Sequence, residues 1–78
     1  MTKKDYELIA NVFDRQINVM EHLAQYHINM EELSQAKCYK KAKREMQQLA
    51  TSLGFEMAKT NPKFDENKWS EATGANKL

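Results

Sequence analysis

Five cations fall within eight residues near the middle of the chain: Lys37, Lys40, Lys41, Lys43 and Arg44, with Glu45 as the adjacent acid. Wound into a helix, Lys37, Lys40, Lys41 and Arg44 share the face opposite an apolar stripe, a layout that can track nucleic-acid phosphates. A second account is a solvated helix face that complements an acidic neighbour. Residues 1–36 carry a net charge of −3 and residues 37–78 one of +4, so an antiparallel hairpin would balance them. On the exposed face no aromatic side chain interleaves the cations before Phe55, which favours the solvated account.

Nucleophilic and metal chemistry are weaker. Cys38 with His22 or His27 as its base has no orienting Asn or Asp in a recognisable local motif. Its place at the edge of an apolar stripe suits a small core side chain instead. Zinc sites use tight pairs such as Cys-x-x-Cys or His-x-x-x-His, and Glu21, His22, His27 and Cys38 supply none. His27 is expected to bond a carbonyl at a helix end. The acid pairs Glu31-Glu32 and Asp65-Glu66 lie where helices are expected to begin, and carboxylates there complement the helix dipole. No catalytic residue, metal site or cofactor is therefore assigned, and the chain is read as non-enzymatic.

The aromatic residues Phe55, Phe64 and Trp69 allow two outcomes. A third helix can fold back so that Phe64 and Trp69 cover Phe55 as a satellite core. Alternatively the three form an exposed anchor for a partner, as tryptophan-centred patches often do.

The elements that must position these residues are helices. Of 78 residues, 41% are apolar, while glycine and proline are limited to Gly54, Gly74 and Pro62. Good helix formers dominate, and nothing alternates with the period of a strand. The first helix opens at Thr2, with Asp5 completing a capping box, and runs to about residue 27. Its core face carries Tyr6, Phe13, Ile17 and Met20. A second row, Leu8, Val12, Val19 and Leu23, widens the apolar arc to about 200°, broken by Gln16, whereas one neighbour needs little more than 100°. The second helix covers about residues 30–60, capped by Asn29 or Ser34, and Asn61-Pro62 stops it. A short third helix spans about residues 66–73, with Asp65 as N-cap, a Phe64–Trp69 staple and Gly74 as terminator. Residues 75–78 are expected to fray. The fold class is all-α, one small domain over residues 1–78: an antiparallel two-helix hairpin with a short C-terminal helix.

A core this small leaves little net stability. The second row is accordingly expected to be a homodimer interface of Leu8, Val12, Gln16, Val19 and Leu23, completing a helical bundle. The rival is that the third helix covers that row within a monomer. Without an apolar span or signal-like start, and with one cysteine, the chain is expected to work in a cytoplasm, off the membrane.

Two segments carry a resemblance. The opening Lys4-Asp5-Tyr6-Glu7-Leu8-Ile9-Ala10 and the closing Asn61-Pro62-Lys63-Phe64-Asp65, followed by Trp69 and Ala72-Thr73-Gly74, resemble short accessory proteins of tailed bacteriophages and prophages. That family has no assigned activity, so no functional residue is carried over. The resemblance implies a bacterial host cytoplasm and a protein that binds and modulates a host protein, as small phage inhibitors, anti-CRISPR proteins among them, do. The alternative is a nucleic-acid-binding helical dimer using Lys37, Lys40, Lys41, Lys43 and Arg44.

Overall fold

The computed structural model describes residues 2–78, which form three helices and no strand. They are α1 (Lys3–Asn29), α2 (Leu33–Thr60) and α3 (Glu66–Thr73). The long helices run antiparallel, and α3 packs against both, in a body of 46 × 19 × 15 Å.

The first helix begins as its sequence dictates. The Asp5 amide donates to Thr2 Oγ1 at 3.3 Å, and the Thr2 amide donates to Asp5 Oδ2 at 2.9 Å. These bonds satisfy donors that no helical turn can reach. The helix continues to Asn29, about two residues further than its periodicity suggests. It ends in a Schellman turn: the Glu31 amide donates to the Ile28 carbonyl at 3.0 Å, and that of Glu32 to His27 at 2.8 Å. Glu31 takes the left-handed position of this turn, at φ 60°.

The second helix departs from expectation at its start. Neither Asn29 nor Ser34 caps it. Asn29 is still helical and Ser34 already so, which leaves Glu32 as a cap without a side-chain hydrogen bond. The Glu32 carboxylate instead lies 3.2 Å from His27 Nδ1, and the His27 ring stacks on Tyr39 at 5.2 Å. His27 thus fastens the turn through a side chain rather than a carbonyl. The stop at the other end is as expected, with Asn61 extended ahead of Pro62.

The third helix follows its signals closely. Asp65 Oδ1 accepts from the amides of Asn67 and Lys68 at 3.0 and 3.1 Å. The Phe64 and Trp69 rings meet at 5.8 Å, and Gly74 terminates the helix at φ 79°.

The core is thin. Its buried apolar side chains are Ala10, Ile17, Ala24, Ala36, Ala50, Met57 and Trp69, more than half of them alanine. Small residues let the two long helices approach closely but bury little area per contact. The bulk comes from Trp69, which with Ala10 and Met57 gathers Tyr6, Ile9, Phe13, Leu53 and Phe64 around it. The first helix therefore shares its Tyr6 and Phe13 with α3, while Ile17 faces wholly inward. Seating the indole depends on Gly54, because a Cβ there would stand 2.5 Å from Trp69 Cδ1. The indole N–H is satisfied too, donating to the Ala50 carbonyl at 2.8 Å.

Residues 75–78 do not fray. Gln47 Nε2 donates to the carbonyls of Gly74 and Lys77 at 3.1 and 2.7 Å. Lys77 Nζ reaches Asn18 Oδ1 at 2.8 Å and Asp14 Oδ1 at 3.3 Å. A polar latch thus ties the tail to both long helices.

Candidate interaction surfaces

The three aromatic residues grouped in sequence separate in space. Trp69 is 4% exposed and belongs to the core, so it cannot anchor a partner. Phe64 is half-buried, its ring 5.3 Å from that of Tyr6. Phe55 remains 58% exposed, with Lys59 Nζ 5.6 Å from its ring centroid. Neither sequence outcome holds in full. The third helix folds back, but it seats Trp69 over Gly54, and Phe55, one residue along, points past it.

Tyr6, Ala10, Phe64, Trp69 and Ala72 line a groove of about 490 Å³ between the start of α1 and α3, with Lys3, Lys63 and Lys68 among its other lining residues. Beside it, Asp5 is held below the usual carboxylate range, first by the Thr2 backbone N–H and then by the Thr2 hydroxyl.

The basic run is only partly a face. Lys37, Lys40, Lys41 and Arg44 are exposed. Lys43 turns inward: it bonds Glu21 at 3.3 Å and the Leu78 carbonyl at 2.9 Å, with its side chain 12% exposed. Lys43 therefore leaves the set of candidate phosphate contacts, because the α1 acid and the tail have taken its charge.

The second apolar row of α1 stays in water. Leu8, Val12 and Val19 are exposed, Gln16 likewise, and Leu23 is half-buried. The alternative in which α3 covers this row is overturned. The third helix contacts Phe13 through Trp69, and the tail contacts Asp14 and Asn18, roughly 100–160° around α1 from Val12 and Val19. Leu49, 60% exposed, continues the row onto α2. It stands two residues beyond Gln47, about 200° around the helix, and so faces away from α3 as well. One side of the hairpin is thus covered by α3 and the tail, and the other presents Leu8, Val12, Val19 and Leu49. Leu49 sits at the edge of the apolar stripe of α2, about 100° around the helix from the buried Ala50.

The residues weighed for nucleophilic or metal chemistry take other roles. Cys38 is exposed rather than packed, His22 is exposed, and His27 is spent on Glu32 and Tyr39. Asp65 is occupied as a helix cap. Among the described residues, no three His, Cys, Asp or Glu side chains cluster as metal ligands, and no helix is long and apolar enough to cross a membrane.

The chain matches no protein-family model, and no curated protein or solved structure is significantly similar to it.

Proposed function

We propose that this chain is a non-catalytic protein-interaction module, in the setting its terminal segments resemble a phage accessory protein that binds and modulates a host protein in the bacterial cytoplasm. The observation that carries this reading is the distribution of apolar side chains. Leu8, Val12, Val19, Leu49 and Phe55 are left in water by a protein whose core is mostly alanine. Isolated exposed apolar residues are ordinary, but the helical row of Leu8, Val12 and Val19 runs as one strip along α1, and such a strip on so small a body marks an interaction surface. The host-binding patch is the exposed ring of Phe55 with Lys59 beside it, since aromatic and cationic side chains together make effective anchors. The test is capture from a bacterial lysate by immobilised protein. A host protein retained by the wild type and lost with Phe55→Ala supports the reading. Retention of none, or of the same proteins by both, overturns it.

A second reading is favoured by the exposure of Lys37, Lys40, Lys41 and Arg44: a helical dimer that grips nucleic-acid phosphates. It requires duplex binding that weakens steeply between about 50 and 200 mM salt, through counterion release. Replacing Lys40, Lys41 and Arg44 by Gln should abolish that binding while leaving helicity intact. No shift of duplex or single strand at 50 mM salt excludes this reading.

A further inference from the structure

We propose that the apolar face of α1 and α2 turned away from α3 binds a second copy of this chain, with the two α1 helices antiparallel across a two-fold axis near Gln16. The inference rests on the interaction-module reading and adds the occupant and its register.

Three observations lead to it. The first is area. A compact monomer of 9.1 kDa exposes about 4,900 Å². This chain exposes 5872 Å². The difference, about 1,000 Å², is comparable with the ~800 Å² that each partner gives up in a stable complex. The shape gives the same result, with a radius of gyration of 14.1 Å where a compact chain of this length has about 11.5 Å.

The second is the spacing of the row. Leu8, Val12, Val19 and Leu23 are separated by four, seven and four residues, a series that reads the same in both directions. An antiparallel copy centred between Arg15 and Gln16 sets Leu8 against the partner's Leu23 and Val12 against the partner's Val19. Each leucine meets a leucine and each valine a valine. A two-fold interface requires a patch complementary to itself, and this series meets that condition. A heterologous partner would have no need of it.

The third is Leu49. The contacts Glu21–Lys43 and His27–Tyr39 fix the register of the hairpin, and they place Leu49 level with Arg15 to Ile17, at the midpoint of the row. It therefore lies beside the axis, where two copies bring it against its own image. Gln16 sits at the same level, where its amide can meet the partner's across the axis.

Mass and cross-linking test the assignment separately. By light scattering at ~50 µM, a concentration where a micromolar dimer is nearly saturated, the wild type should have twice its chain mass. Val12→Glu should weaken association more than about tenfold, and Val12→Glu/Val19→Lys should restore it, because the new charges face each other between copies. With Cys38→Ser as background, a mixture of Leu8→Cys and Leu23→Cys chains should be joined by a short bis-maleimide. Leu8→Cys alone should not be, as its two copies would lie about 22 Å apart along the helices. Circular dichroism confirms that each variant is folded. A monomeric wild type, a dimer indifferent to Val12→Glu, or cross-linking of Leu8→Cys to itself overturns the proposal. A monomer would still allow Phe55-dependent capture, so its failure differs from failure of the broader reading.

Discussion

Gly54 lies directly beneath the Trp69 indole, and a Cβ added there would stand 2.5 Å from Cδ1 and 2.8 Å from Nε1 of the ring. The indole cannot retreat freely, because its N–H is committed to the Ala50 carbonyl one helical turn earlier. Glycine within a helix costs about 1 kcal/mol relative to alanine, so its place in α2 is explained by what packs on it.

The expected outcome of Gly54→Ala follows from that competition. The gain in helix propensity is about 1 kcal/mol, while forcing an extra carbon under a well-packed ring typically costs 1–3 kcal/mol. Net destabilisation is expected, by about 1 kcal/mol, with the red-shifted emission of a partly solvated tryptophan. Trp69 is the chain's single tryptophan, so fluorescence during urea unfolding reports it directly. A Gly54→Ala variant more stable than the wild type would show that the ring gives way without loss.

The turn between α1 and α2 offers the opposite case. Glu31 holds φ 60°, a conformation that costs a residue with a Cβ about 1–2 kcal/mol. Glu31→Gly relieves that cost but adds freedom to the unfolded chain, worth about 0.4–1 kcal/mol. A net gain of about 0.5–1 kcal/mol is expected by thermal or urea unfolding. Glu31→Ala keeps the Cβ and should gain nothing. Equal stability of the two variants would count against a strained turn.

These two positions mark where the sequence was and was not informative. Helix type, the Thr2–Asp5 box, the Asp65 cap and the Phe64–Trp69 staple are local, so residue types at fixed offsets reveal them. The α1–α2 turn carries no glycine or proline, and its left-handed residue is a glutamate, so only an approximate break could be placed. The partition of the aromatics was hidden for another reason. Phe55 and Trp69 are both large and apolar, and which is covered depends on where Gly54 opens a seat. The direction of α3 also decided which flank of the hairpin stayed bare, a tertiary choice that no wheel of α1 contains. Lys43 joined the basic run by spacing alone, and left it once Glu21 and the tail carbonyl came within reach.

Acid should weaken the start of α1. The Asp5 carboxyl is held below its ordinary value by the Thr2 backbone N–H, then by the Thr2 hydroxyl. A group depressed in the folded state stabilises it fully above its unfolded value, about 3.9, and loses that contribution as pH falls through the lower folded value. Asp5→Asn should therefore reduce stability near neutrality and flatten its decline below about pH 4. Titration of the carboxyl by NMR should show a depressed midpoint in the wild type and a partial return in Thr2→Ala, which keeps the backbone donor. An Asp5 midpoint at the ordinary value would remove the basis for both.

The tail latch should be separable from the core. Gln47 donates to the carbonyls of Gly74 and Lys77, and the Lys77 amide in turn donates to the Gly74 carbonyl at 3.1 Å. Hydrogen bonds of this kind contribute about 0.5–1.5 kcal/mol net each, toward the lower end where water competes. The latch also acts after Gly74 has ended α3, so losing it leaves Trp69 seated. Gln47→Ala should speed hydrogen exchange at Lys77 severalfold, while shifting global unfolding by less than about 1 kcal/mol. Asp14→Asn should have a smaller effect, since Lys77 keeps its shorter contact with Asn18. Exchange at Lys77 unchanged in Gln47→Ala would mean the tail is held by Lys77 and Lys43 alone, whereas a large global loss would mean the latch and the Trp69 core unfold together.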